Sequence, residues 1–122
     1  MTEKKYSKEH EWIKIENEIA IIGITDYAQE SLGDIVFIEL PKVGRLINTG
    51  DQVGVVESVK AASDLFAPIS GEIIEVNNEL TNSPQLMNSD PENSGWYMKI
   101  KLNDVEDLKK LMNYDEYKEI IK

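Results

Sequence analysis

The sequence predicts a mainly β domain of short antiparallel strands, with one short internal helix and further helices at the C-terminus. Short runs of β-branched and large apolar residues recur over residues 12–102, and Gly, Pro, Asn or Asp separates them, which is typical of strands joined by turns. Over 105–121 the apolar residues instead recur at three- and four-residue spacing, which is the helical period.

The first elements follow from turn and capping residues. Residues 12–24 predict two strands of a hairpin with its turn at 16–18. Thr25 or Asp26 is suited to cap a short helix that ends at Gly33, where a residue without Cβ adopts a positive φ at little cost.

A third strand is predicted from Asp34 to Leu40, ending before Pro41. Its alternation leads us to expect Ile35, Phe37 and Glu39 on one face. Leu46 and Ile47 then precede a turn.

A second hairpin surrounds Lys60. Apolar runs at 53–59 and 65–74 lie on either side of it, so Lys60 is expected at or beside the tip. From spacing alone, such a lysine is an ordinary solvated residue of an exposed connection. However, the small residues at 61–63 would let the tip enter another protein's cleft, so Lys60 is also a candidate for covalent attachment.

The remainder predicts strands at 71–76 and 96–102. Residues 80–94 are rich in turn formers and predict a long loop with one turn of helix after Asn82 or Ser83. The C-terminal helical segment is expected over about 104–121, with a cap at Asn103 or Asp104, a break near Asn113, and an apolar stripe that covers the sheets.

Composition excludes several functions. The 122 residues suit one domain spanning 1–122, and the absence of Cys excludes disulfides and a thiol nucleophile. A net charge of −10 disfavours nucleic acid and anionic membranes and favours basic docking sites on partner proteins. Neither a membrane span nor a secretory signal is evident, so we expect the chain to remain in the compartment where it is made.

Catalytic and metal-binding residues are not expected. His10 is the one histidine and is interpreted as structural or surface. Glu9 and Glu11 resemble an acid/base pair, but with a single His, no Cys and no phosphate-binding glycine loop, we assign no catalytic residue.

The segment from Glu57 to Asp64, followed by Pro68 to Gly71, resembles the lipoyl-attachment segment of the H protein family of the glycine cleavage system. Further motifs of that family are matched in order, so the resemblance covers nearly the whole chain. These motifs lie at 6–12, 23–29, 32–41 and 95–96.

The resemblance implies a lipoyl-domain-like hybrid barrel or sandwich with lipoate attached covalently to Lys60. It also implies a shuttle that carries an aminomethyl group from glycine decarboxylase to a tetrahydrofolate-dependent aminomethyltransferase, and then electrons to dihydrolipoamide dehydrogenase. A lipoate ligase or a lipoyl or octanoyl transferase would modify the lysine. The protein would be cytoplasmic, or in the mitochondrial matrix if the source is eukaryotic.

The resemblance further implies a pocket that keeps the aminomethyl nitrogen charged, formed by Glu11 and Asp64. Glu9 is a less certain member because a small polar residue often occupies its place in relatives, and Tyr27 stands where many relatives have His. Without the resemblance, Glu11 and Asp64 would be interpreted as two of many surface acids.

Other functions remain open from the residues alone. The chain would equally serve as a lipoate reservoir that donates the group to other enzymes, since that role also needs only Lys60. An unmodified adaptor is a further alternative. A biotin carrier is disfavoured because Val59 and Ala61 replace the Met residues that usually flank a biotinyl lysine.

Overall fold

The computed structural model describes residues 4–103 and 105–122, which form two antiparallel sheets packed as a sandwich and not closed into a barrel. The strands are β1 (Lys4–Tyr6), β2 (Glu11–Glu16), β3 (Ile19–Ile24), β4 (Ile35–Glu39), β5 (Leu46–Ile47), β6 (Gln52–Ser58), β7 (Ala62–Phe66), β8 (Gly71–Val76) and β9 (Met98–Leu102). The helices are α1 (Asp26–Leu32), α2 (Glu79–Asn82), α3 (Leu86–Ser89), a 3₁₀ helix (Val105–Lys110) and α4 (Tyr114–Ile120). The expected mainly β hybrid fold is therefore confirmed.

The larger sheet joins distant parts of the chain. Its order is β1-β2-β3-β9-β8-β5, so that β9 lies between β3 and β8. The smaller sheet has the order β4-β6-β7 and comes from one contiguous stretch. The inward faces of both sheets contribute to one buried apolar core, rich in isoleucine.

Three predicted helix boundaries with clear capping residues are found in the structure. The Thr25 hydroxyl accepts a hydrogen bond from the Ala28 backbone N–H at 3.2 Å, and Gly33 ends α1 with φ of 82°. The predicted break at Asn113 is the start of α4, because Asn113 and Glu116 form a reciprocal capping box.

Several boundaries differ from the prediction. Strand structure begins at Lys4 and not near residue 12, because β1 pairs with β2 and Tyr6 also pairs with Met112. Residues 105–110 form a 3₁₀ helix, while the expected cap at Asp104 lies outside the described residues. The run 65–74 is not one strand, because it contributes to both β7 and β8, which belong to different sheets.

The predicted face of β4 is wrong. Ile35 is buried, whereas Phe37 is 50% exposed. A bulge between these two residues shifts the register against β6, so Ile38 takes the next inward position.

The segment between β8 and β9 packs against the core as part of the fold. It contains two short helices, α2 and α3, where one turn of helix was predicted, and it buries Leu80 and Met87 completely. The Trp12 indole N–H donates to the Pro91 carbonyl at 2.8 Å. Within the described ranges, no helix is long and apolar enough to span a bilayer.

Gly54 provides a test of the smaller sheet. A Cβ at this position would overlap the carbonyl oxygen of Glu39 on β4. Because backbone atoms have little freedom to move, we expect Gly54→Ala to lower the free energy of unfolding by about 1–3 kcal/mol, measured by urea denaturation. Ser63→Ala, an exposed change on β7, is the control, and equal midpoints for the two variants would contradict the predicted overlap.

Candidate functional site

Lys60 lies exposed at the tip of the β6–β7 hairpin, as predicted. Because β7 already begins at Ala62, the tip is only three residues long. The Ser58 hydroxyl oxygen accepts hydrogen bonds from the backbone N–H groups of Lys60 at 3.1 Å and Ala61 at 3.2 Å. These bonds hold the tip backbone, and neither of them involves the lysine side chain.

The tip is also attached to the segment that follows α1. The Val59 backbone N–H donates to the Asp34 carbonyl at 2.9 Å. On either side of Asp34, Asn88 of α3 donates to the Gly33 carbonyl and accepts from the Ile35 backbone N–H, both at 2.8 Å. The position of Lys60 is therefore set by α1, α3 and β4 together.

The Lys60 side chain lies against Gly33. A Cβ built on Gly33 would be 3.1 Å from the Lys60 Cε, a tighter contact than most side chains tolerate. The lysine therefore crosses the C-terminal end of α1, and other residues of the same helix line a neighbouring cleft.

That cleft has a volume of about 360 Å³ and lies between α1, β7 and the residues that lead into β2. It brings together Glu9, Glu11 and Asp64, the three acidic residues suggested for the pocket. Glu9 and Asp64 are exposed at the cleft, whereas Glu11 is buried. The other lining residues are His10, Ile24, Tyr27, Ala28, Ser31, Leu32, Val56, Ser63, Leu65 and Phe66.

Glu11 is only 2% exposed, so the interpretation of this residue as a surface acid is wrong. Its two carboxyl oxygens accept hydrogen bonds from the hydroxyls of Ser7 and Tyr97, each at 3.1 Å. Burial raises the pKa of Glu11 to about 8, because the loss of water outweighs these hydrogen bonds. Burial therefore favours the neutral, protonated form of this carboxyl.

His10 forms part of the cleft wall and also anchors the C-terminal helix. Its Nδ1 lies 2.8 Å from the hydroxyl oxygen of Tyr117, which lies 2.7 Å from the Thr25 hydroxyl. The His10 ring is also 4.8 Å from that of Tyr27. These contacts agree with the interpretation of His10 as a structural residue.

Sequence reasoning did not single out Ser58, Asn88 or Tyr97. Ser58 is two residues before Lys60, where a hydroxyl commonly bonds to turn N–H groups. Tyr97 lies in the predicted strand 96–102, just before β9. A buried tyrosine needs a partner for its hydroxyl, so the sequence did contain a sign that Tyr97 would bond to another side chain. Nothing in the sequence distinguished Asn88, because the segment 80–94, which was predicted as a loop, contains many Asn and Ser residues.

The raised pKa of Glu11 predicts a pH-dependent stability. The folded protein keeps this proton up to about pH 8, while the ordinary pKa is 4.5, so the free energy of unfolding should fall as pH rises between these values. Between pH 5 and pH 8, the decrease in the free energy of unfolding should be smaller in Glu11→Gln than in the wild type by a few kcal/mol. Urea denaturation at the two pH values measures it. Glu18→Gln removes an exposed acid as the control, and parallel pH profiles for Glu11→Gln and wild type would contradict the assignment.

Comparison with known proteins identifies the family. The sequence profile described as glycine cleavage H-protein matches residues 4–122. The chain is 57% identical over 117 residues to the glycine cleavage system H protein of Carboxydothermus hydrogenoformans, covering 96% of this chain and 90% of that protein. It is 49% identical over 121 residues to that of Xanthobacter autotrophicus, covering 99% and 97% of the two chains.

A solved structure shows the same architecture. The crystal structure of a glycine cleavage system H protein from Mycobacterium marinum superposes with a TM-score of 0.89 at 36% identity, covering 97% of this chain and 95% of that chain. The matches in sequence and in fold both extend over nearly the full chain, and this chain belongs to the glycine cleavage H-protein family.

Proposed function

We propose that the chain is a single, non-catalytic carrier domain that bears lipoate on Lys60 and serves the glycine cleavage system. In this role it carries an aminomethyl group from glycine decarboxylase to the aminomethyltransferase, and then electrons to dihydrolipoamide dehydrogenase. The observation that carries the proposal is the position of Lys60: its side chain lies across the end of α1, beside a cleft that contains buried Glu11.

The residues of the tip and the cleft fit a lipoyl group. The exposed lysine and the small residues after it suit attachment by a lipoate ligase or transferase. Leu32, Val56 and Leu65 line the cleft and suit a hydrocarbon arm. When bound, a lipoyl group supplies a reducible dithiolane, which a chain without Cys lacks.

The acidic residues of the cleft suit a cargo that carries an amine. A protonated amine has no lone pair with which to expel a thiolate, so keeping it protonated protects the cargo from hydrolysis. Asp64 and Glu9 offer carboxylates at the cleft surface, and Glu11 offers a buried carboxyl that ionises when an ammonium is beside it. The apolar wall keeps water away and strengthens that interaction.

The cleft favours the shuttle over the alternative role of lipoate reservoir. A reservoir needs the exposed lysine but has no use for a buried acid in the adjoining cleft. The net charge of −10 is consistent with partner enzymes that dock through basic surfaces. We place the protein in the cytoplasm on the basis of its bacterial relatives.

Lys60 should be the only attachment site. We expect Lys60→Arg to abolish lipoylation by a lipoate ligase, because arginine has no amine that can form the amide, whereas Lys42→Arg, an exposed control, should be modified fully. Intact-mass measurement and peptide mapping give the readout. A lipoyl adduct on the Lys60→Arg protein would refute the assignment.

The cleft acids should protect the cargo. We expect Glu11→Gln and Asp64→Asn to accept lipoate normally but to shorten the lifetime of the aminomethylated protein at neutral pH. An opposite charge close to an ammonium raises the pKa of that ammonium by about one unit or more. Removing the charge should therefore shorten the lifetime about tenfold. Time-resolved mass spectrometry measures the lifetime, with Glu18→Gln as the exposed control. Wild-type lifetimes in both variants would refute the assignment of Glu11 and Asp64 to the pocket.

A further inference from the structure

Two side-chain hydroxyls and the Phe66 backbone are the hydrogen-bond partners of the Glu11 carboxyl. Ser7 donates to Oε1 and Tyr97 donates to Oε2, each at 3.1 Å, so both carboxyl oxygens have a side-chain partner. Tyr97 is completely buried and Ser7 is 9% exposed. Both partners are therefore shielded from bulk water, as is Glu11 itself.

Hydroxyls differ from other partners of a buried acid because they both donate and accept hydrogen bonds. A neighbouring Lys or Arg would hold the carboxyl ionised, and an apolar neighbour would hold it neutral. The Tyr97 hydroxyl oxygen also lies 3.5 Å from the Phe66 carbonyl oxygen. When Glu11 is protonated on Oε2, it can donate to Tyr97, whose own proton then turns toward Phe66.

We propose that Tyr97 and Ser7 are positioning residues that let the Glu11 carboxyl change between its neutral and ionised forms within the folded protein, so that it can meet a cationic cargo. The inference rests on the proposed function in taking that cargo to be an amine. It goes beyond that function by naming the side chains that let Glu11 become ionised beside the cargo. Burial raises the pKa of Tyr97 well above its ordinary value, so this hydroxyl keeps its proton and remains a donor.

The released proton has a route that does not cross the cleft beside Lys60, called the arm cleft below. Glu11 also borders a second cavity of about 570 Å³, on which Ser7 lies. When an ammonium enters the arm cleft, Glu11–COOH becomes a carboxylate and its proton leaves to solvent on the side of the second cavity. The amine gains and loses no proton in this step.

The other charged and titratable groups around Glu11 line the two cavities, and among them Tyr6, on the second cavity, is buried. Glu9 borders both cavities and disfavours ionisation of Glu11 by repulsion. Asp64, His10 and Tyr27 face the arm cleft, whereas Lys8 and Lys110 face the second cavity. Since water screens the exposed groups, the two hydroxyls and the Phe66 backbone are the close partners that favour the ionised form.

The test measures the Glu11 carboxyl by ¹³C NMR titration in the full chain without lipoate. A hydrogen bond to a charged group contributes enough to move a pKa by about one to two units. We therefore expect Tyr97→Phe to raise the Glu11 pKa by about this amount and Ser7→Ala to raise it similarly. Ser7→Thr retains a hydroxyl and should restore the wild-type value. Tyr114→Phe removes an exposed hydroxyl as the control.

A second arm of the test supplies the cation. The lipoylated protein is reduced and alkylated with 2-bromoethylamine, which gives a stable primary amine on the arm. In the wild type this amine should lower the Glu11 pKa below 7, and the value should remain higher in Tyr97→Phe.

The outcomes distinguish the role of the hydroxyls in setting the Glu11 pKa from the proposed pocket for the amine. An unchanged Glu11 pKa in both Tyr97→Phe and Ser7→Ala without lipoate would overturn the role of the hydroxyls. If instead those variants shift the pKa but the amine has no effect on wild-type Glu11, the proposed pocket for the amine fails while the role of the hydroxyls in setting Glu11 stands. Should Tyr97→Phe fail to fold, the Ser7→Ala and Ser7→Thr pair decides.

Discussion

The side-chain amide of Asn88 joins the parts of the chain on which the lysine tip depends. It bonds to Gly33 at the end of α1 and to Ile35 at the start of β4, and the residue between them accepts the backbone hydrogen bond from the tip. A hairpin tip without such support is mobile and presents its side chain over a wide range of directions. Here the Asn88 amide holds the segment to which the tip bonds, while the Ser58 hydroxyl holds the tip backbone itself. For the proposed carrier role this arrangement would meet two opposing needs, because a modifying enzyme requires an exposed lysine while the cleft requires a fixed starting point.

The cleft combines two environments that are normally incompatible. Apolar side chains line the cleft, yet burial away from water makes the ionisation of Glu11 unfavourable. Hydroxyl partners reduce that penalty without fixing the charge, whereas a salt bridge would have held Glu11 permanently ionised. The contacts among His10, Tyr117 and Thr25 connect the outer wall of the cleft to α4. The C-terminal helix thus stabilises the cleft from outside, without contributing a charge to it.

Much of this arrangement follows from the sequence, and its gaps have physical causes. The hairpin around Lys60, the cap at Thr25 and the break at Asn113 depend on local residues, so local patterns predict them. The face of β4 was mispredicted because a bulge changes the alternation between neighbouring residues, and no residue type marks that bulge. The burial of Glu11 could not be inferred locally, since it depends on Tyr97, which is distant in sequence. The family resemblance selected three acids that line one cleft, but it did not indicate that Glu11 would be buried there with a raised pKa.

The two sheets differ in how their strands are distributed along the chain, and this has a consequence for the order of folding. The β4-β6-β7 sheet uses residues 35–66 alone, whereas the larger sheet cannot form until β9 pairs with β3. Local contacts form faster than distant ones, and three strands with an apolar face are the minimum for independent stability. We therefore expect the hairpin that carries Lys60 to form before the cleft beside it does, which pulse-labelling hydrogen exchange during refolding would detect as early protection of β6 and β7. If Lys60 bears lipoate as proposed, a newly made chain would be a substrate for modification before it is a competent carrier.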